Sequence, residues 1–115
     1  MVLMNDELKE KIIANPLYSH DGEDAKDVKI LCKYFVTGSR YTFYVTEGDI
    51  KENGDVEFFG YCKSPLGSDC DEFGYMWLSQ LKEINIPIEN GIMIADMELC
   101  DGLTLEQVTA TEKVI

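Results

Sequence analysis

YTFYVTEGDIKENGDVEFFGYC, residues 41–62, is the stretch that decides the fold. From Tyr41 to Glu47 β-branched and aromatic residues alternate, Asn53-Gly54 offers the positive backbone angles of a tight connection, and Val56 to Cys62 resumes strand-like composition. Two such runs joined by turn chemistry spell an antiparallel hairpin. Upstream, Val28, Ile30, Cys32, Tyr34 and Val36 alternate with Lys29, Leu31, Lys33 and Phe35, and Thr37-Gly38-Ser39-Arg40 makes the turn into the hairpin. Downstream, Ser64 to Asp71 reads as a loop and Phe73 to Trp77 as a fourth strand. Every aromatic residue except Tyr18 falls between Tyr34 and Trp77, so this meander carries most of the chain's large apolar surface.

The flanks read as helices and loops. Asn5 can cap a helix whose Leu8, Ile12 and Ile13 form an apolar stripe, and Asn15-Pro16 stops it. Tyr18 to Asp24 is a polar loop, Ser79 to Ile84 a short helix ending before Pro87, and Ile92 to Ala95 a fifth strand. Thr104 and Gln107 have capping-box spacing at the start of a last short helix. With 115 residues, 45% of them hydrophobic, the chain suits one core. The expectation is a single α+β domain over residues 1–115: a four- to five-stranded, mainly antiparallel meander with short helices covering one face.

Charge narrows the function classes. There are 22 acidic residues against 10 basic ones, a formal charge of -12. Residues 28–46 contain Lys29, Lys33 and Arg40 with no acid, whereas residues 47–72 contain Glu47, Asp49, Glu52, Asp55, Glu57, Asp69, Asp71 and Glu72 against Lys51 and Lys63. Repulsion from phosphates argues against direct nucleic-acid binding, and the field favours approach to a basic protein surface. Met1 to Glu7 turns acidic at once, and no run approaches the roughly 18 apolar residues of a membrane span. The expectation is a cytoplasmic protein without membrane association. Cys32, Cys62, Cys70 and Cys100 contain no Cys-x-x-Cys pair, and a reducing compartment keeps them as thiols. Cys32 and Cys62 read as small buried apolar residues. Cys70 lies in a loop between Asp69 and Asp71, whose carboxylates disfavour its thiolate.

Glu47, Asp49, Asp55 and Glu57 flank one hairpin, where pairing could bring Glu47 near Asp55 or Glu57. Paired carboxylates do acid–base work when their environments separate their pKa values, and they can also hold calcium or magnesium. The calcium-loop pattern fails, since counting from Asp49 puts Lys51 and Gly60 where ligands belong. His20 is the single imidazole, so a histidine-rich metal site is excluded. No cofactor, metal ligand or catalytic residue is assigned. Phe58 and Phe59 make both faces of the third strand apolar, which calls for helices on one side or a partner on the other, with Phe59 expected in the core. Stacking single-stranded nucleic acid on these rings would need a basic groove, and only Lys29, Lys33 and Arg40 could supply one.

The reading that results is a non-catalytic, acidic interaction protein. It presents Glu47, Asp49, Glu52, Asp55, Asp69, Asp71 and Glu72 to a basic partner, a nucleic-acid-handling protein whose binding surface it occupies. One alternative is a small cation-dependent hydrolase using the hairpin carboxylates. Another is a homo-oligomeric accessory protein that pairs exposed strands or aromatic faces.

Taken together, Lys33-Tyr34-Phe35, Thr42 to Asp49, Asn53-Gly54-Asp55, Phe58 to Cys62, Ser64 to Tyr75, Leu78 to Leu81 and Pro87-Ile88-Glu89 closely resemble the bacterial family called domain of unknown function 2958. Pro16-Leu17-Tyr18-Ser19 with Asp21-Gly22 resembles that family's opening segment, and the likeness covers roughly residues 8 to 95. The resemblance implies a small single domain, often encoded on plasmids and integrative elements near antirestriction and partition genes, with no activity assigned to the family as such. It places the interaction reading in a mobile genetic element, as a DNA-mimic-like counter-defence protein acting on a host or defence component. Where relatives tend to follow Ile-Glu with Arg-Asp, this chain has Asn90-Gly91, so it lacks that arginine.

Overall fold

The computed structural model of the chain describes residues 3–36, 39–64, 66–83, 85–88 and 91–114. Its strands are β1 (Cys32–Val36), β2 (Thr42–Ile50), β3 (Val56–Lys63), β4 (Glu72–Trp77), β5 (Asn85–Ile88) and β6 (Gly91–Leu99). All neighbours pair antiparallel in the order β4-β3-β2-β1-β6-β5. The meander expected from the sequence is β1 to β4. The chain then returns through β5 to lay β6 against the free side of β1, and the two ends of β6 have different partners. Ala95 to Leu99 pair with Val36 to Cys32, while Gly91 to Ile94 pair with Ile88 to Asn85.

Among the described residues three α-helices complete the α+β architecture: α1 (Asp6–Ala14), α2 (Leu78–Lys82) and α3 (Leu105–Val114). Asn5 caps α1, its Oδ1 accepting the Leu8 N–H at 2.8 Å. In the box that opens α3, Thr104 N–H donates to Gln107 Oε1 at 2.9 Å and Gln107 N–H to Thr104 Oγ1 at 3.3 Å. Leu8 and Ile12 of α1 and Leu78 and Leu81 of α2 join Cys32, Tyr34, Phe43, Val45, Val56 and Phe58 in one buried cluster. Both helices therefore cover the same face of the sheet. Tyr34 sits at its centre, its ring 5.3 Å from that of Phe58 and its hydroxyl donating to the Leu3 carbonyl at 2.7 Å.

Several expectations need correction. The first strand is shorter than Val28–Val36, because Ile30 N–H donates to Leu103 O at 2.8 Å and Leu105 N–H to Val28 O at 2.8 Å. The segment before α3 thus takes the place of a sheet neighbour there. Ile13 is not part of the apolar stripe and is 67% exposed, since α1 turns only Leu8 and Ile12 inward. Phe58, not Phe59, is the core residue: Val56, Phe58 and Gly60 share the buried face, and Phe59 points to the other. Thr37 and Gly38 of the expected turn, and Ile84 of the expected helix, lie outside the described residues.

A bulge in β2 decides which face of the sheet its later residues join. Val45 pairs with Gly60 but Glu47 pairs with Phe59, so Thr46 is an extra residue with no opposite number. Its hydroxyl donates to the Phe59 carbonyl at 3.2 Å. At this crossing a Cβ on Gly60 would lie 1.8 Å from the Tyr44 carbonyl oxygen. Only glycine lets the two backbones approach so closely.

Gly60→Ala is expected to cost about 3 kcal/mol or more. Gly74, its partner on β4, has nothing within 4 Å of the position a methyl would take, and Gly74→Ala should change stability by less than about 0.5 kcal/mol. Urea unfolding of the two variants checks the contrast. Phe58→Ala should cost about 3–5 kcal/mol. Phe59→Ala loses only half-buried ring contacts and should cost roughly 1–2 kcal/mol in the same assay.

Candidate partner-binding face

The face opposite the helices is read directly from the strand register. Three rows cross β2, β3 and β4: Tyr44, Tyr61 and Phe73; Glu47, Phe59 and Tyr75; Asp49, Glu57 and Trp77. Cross-strand neighbours on one face lie in side-chain contact, and here the contacts are between rings. Phe59 stacks on Phe73 with centroids 6.0 Å apart, meets Tyr75 at 5.0 Å, and Phe73 meets Tyr61 edge-on at 5.0 Å. Phe73 and Tyr75 are 48% and 49% exposed, an unusual state for neighbouring large rings.

Lysines of the chain already rest on the rings of this face. Lys33 Nζ lies 5.5 Å from the Phe35 centroid, Lys63 Nζ 5.4 Å from that of Tyr44, and Lys51 Nζ 5.9 Å from that of Trp77. Each is within cation–π range. Lys51 also reaches Asp49 at 3.8 Å and Glu57 at 3.4 Å, so its ammonium is held by two carboxylates and an indole.

One end of the face is strapped by residues 15–23. Gly48 N–H donates to the Asn15 carbonyl at 3.0 Å, Leu17 N–H to Asp49 Oδ1 at 3.1 Å, and Tyr18 N–H to the Glu47 carboxylate. His20 is fixed between Asn15 Oδ1 at 2.8 Å and Glu23 Oε2 at 3.0 Å. Tyr18 adopts φ 69, a left-handed conformation that costs a non-glycine residue free energy and that the Glu47 contact holds in place. Its side chain hydrogen-bonds Tyr75, whose hydroxyl is pushed up to about 12 chiefly by that bond. Because the bulge reverses the alternation of β2, Glu47 lies on this face under the strap instead of on the helix side. Burial there pushes its carboxyl above the usual range, against the opposing pull of the Tyr18 amide and His20.

The seven acidic residues singled out in the sequence separate into two groups. Glu47 anchors the strap. Asp55 accepts Ser79 Oγ at 2.7 Å, Ser79 N–H at 3.0 Å and Val56 N–H at 2.9 Å, which caps α2 from outside and holds its carboxyl below the usual range, first through the Ser79 hydroxyl. Asp71, its side chain 1% exposed, forms a two-pronged pair with Arg40 at 2.6 and 2.7 Å and accepts the Ser64 N–H at 2.7 Å. Glu52, Asp69 and Glu72 are exposed, and Asp49 is half-buried. They do not form one patch. Glu52 lies in the turn before β3 and Asp69 and Glu72 follow it, so the length of β3, roughly 3.3 Å per residue, separates them.

The hairpin carboxylates are arranged differently from the expectation as well. Asp49 faces Glu57 across the strands, with Lys51 between them, and Glu47 faces Phe59. Asp55 lies beyond the ladder, beside a shallow cleft of about 350 Å³ lined by Asn53, Gly54, Leu78, Ser79 and Lys82. Among the described residues no group of three His, Cys, Asp or Glu side chains is placed to hold a metal ion. All four cysteines are free: Cys32 is buried, Cys62 and Cys100 are half-buried and Cys70 is exposed. Among the described residues no helix is long and apolar enough to cross a membrane.

Strand order, α1 and α2 on one face and a ring-lined opposite face define a small α+β protein built on one antiparallel sheet. The family model described as Protein of unknown function (DUF2958) matches residues 3–106, and the chain belongs to that family. No curated protein and no solved structure matches it. Of Asn90 and Gly91, where the chain departs from its relatives' Arg-Asp, Asn90 lies outside the described residues and Gly91 opens β6.

The raised carboxyl of Glu47 has a definite pH signature. A group protonated more readily when folded favours the native state below its unfolded pKa, and that contribution fades as pH rises through the folded value. Unfolding free energies of wild type and Glu47→Gln, measured from pH 4.5 upward, should therefore diverge with the variant gaining relative stability. Parallel curves would mean that Glu47 titrates as if exposed.

Proposed function

We propose that this is a non-catalytic interaction protein that binds a basic protein surface through the open face of its sheet. The observation that carries the reading is the ring-and-carboxylate face itself, on which Lys33, Lys51 and Lys63 already rest against aromatic rings. Arginine and lysine side chains of a partner meet the same chemistry at Phe59, Phe73 and Tyr75. The formal charge of -12 repels phosphate and draws in a cationic surface, with Glu52, Asp69 and Glu72 exposed to act on the approach. A surface rich in arginine and lysine is what a nucleic-acid-handling protein presents. On the family resemblance, the partner belongs to a host or defence system in the cytoplasm and the chain to a mobile genetic element that blocks it. Asp55 and Asp71, engaged in capping α2 and pairing Arg40, support this role by holding the fold.

The test starts from a partner recovered by pull-down from the host. Its association rate should fall about tenfold or more from low to physiological salt, because rim charges act mainly on encounter. The variant Glu52→Gln, Asp69→Asn, Glu72→Gln should keep its melting temperature, since exposed charges contribute little to stability, yet associate more slowly. DNA or RNA should compete with this protein for the partner. Association independent of salt, or a partner that holds nucleic acid and this chain together, would reject the proposal.

A further inference from the structure

The basic-partner reading leaves open how the partner is gripped, and the two edges of the sheet differ in a way that bears on it. β5, at one edge, contains Pro87, which has no N–H to offer a neighbour. β4, at the other, contains neither proline nor lysine, and its pairing with β3 runs without interruption from Trp77 to Glu72. Natural sheets blunt exposed edges with such residues, with other charges or with bulges; β4 has a charge only at Glu72 and an occupied N–H at Trp77, which donates to Gln80 Oε1 at 2.9 Å, and between these ends Phe73 to Met76 has none of these devices. Its outer row of amides and carbonyls is bordered on the open face by Phe73 and Tyr75, about half exposed, while Glu72 at its start stands exposed on the opposite face, in the row of Cys62 and Phe43.

The geometry points to β4 as the docking edge for an extended basic segment of the partner, which adds to the sheet as a further strand and lays alternate lysine or arginine side chains beside Phe73 and Tyr75. Main-chain hydrogen bonds supply grip and the alternate side chains supply selection, as in other cases of strand addition. Charge complementarity selects the occupant. Glu57, opposite Trp77, stands on the open face at one end of β4, and Glu72 stands at the other end on the opposite face, where the intervening side chains of an added strand would point. One row along, Lys51 shows the bound state in miniature, resting on Trp77 between Asp49 and Glu57. A second copy of the chain, itself carrying -12, would bring the same acidic edge against this one and be repelled.

The experiment uses the intact protein with a short synthetic peptide alternating arginine and threonine. A second peptide of the same sequence is N-methylated throughout, keeping the charge but losing the strand donors. The first should bind at least about tenfold more tightly than the second, the equivalent of a few main-chain hydrogen bonds. It should also slow hydrogen exchange at β4 amides. Phe73→Ala with Tyr75→Ala should weaken it about fivefold or more, by loss of the cation–π contacts, with the fold retained by circular dichroism. Equal, salt-sensitive binding of both peptides with unchanged β4 exchange would overturn the edge inference while leaving the basic-partner reading standing. Failure of both peptides to bind at low salt would overturn both. Concentration-dependent dimers with protected β4 amides, undisturbed by the peptide, would assign the edge to a second copy and overturn the inference.

Discussion

The Tyr44 carbonyl occupies the space that any side chain on Gly60 would need, and this approach of two backbones fixes the character of the molecule. It lets β2 absorb the extra residue Thr46, after which the alternation of the strand is reversed. Before the bulge β2 contributes Phe43 and Val45 to the core. After it, Glu47 and Asp49 stand on the open face and Gly48 faces the helix, its site 3.5 Å from Ile12. Without the reversal, two carboxylates would be driven beneath α1, at a desolvation cost that a domain of this size could not sustain.

The acidic residues are thus not a uniform coat. Asp71 is buried against Arg40 and joins the β1–β2 connection to the β3–β4 loop, while Asp55 ties the β2–β3 turn to α2. Removing one member of a buried pair exposes the other to an uncompensated low-dielectric site, so Asp71 belongs with the structural carboxylates whatever the partner is. The sheet has a corresponding division. Tyr34, Phe43 and Phe58 close one face under α1 and α2, and among the described residues Phe59, Phe73 and Tyr75 leave the other face aromatic without a covering layer of comparable burial. The strap at residues 15–23 covers the end near Glu47.

Much of the fold was legible because its signals are local. Asn5, Asn15-Pro16 and Thr104 with Gln107 bound helices through caps that involve near neighbours, and β2, β3 and β4 alternate in composition and are separated by turn residues. What escaped the sequence depends on distant backbone. Nothing near Val28 announces that Leu103 to Leu105 will replace a sheet partner there, and nothing near Thr46 announces the bulge. That one missed residue misplaced Glu47, and the adjacent pair Phe58-Phe59 gave no sign of which ring faced inward. The acidic stretch was visible as composition, but its division into Asp71 and Asp55 on one side and Glu52, Asp69 and Glu72 on the other rests on Arg40 and Ser79, both far along the chain from the groups they hold.

The pairing of β6 with β1 carries a consequence for synthesis. Cys32 meets Leu99 across a long sequence interval, whereas each ladder among β1, β2, β3 and β4 closes within a single hairpin. Loop closure favours the hairpins, so on the ribosome the four-strand meander can assemble while β6 is still inside the exit tunnel. During that interval β1, one of the two central strands of the finished sheet, is an outer strand of the nascent one, showing Cys32, Tyr34 and Val36 beside unpaired amides. The most vulnerable surface of this protein is therefore one that its native state never displays, and a pause in translation while β6 is held in the tunnel would prolong its exposure.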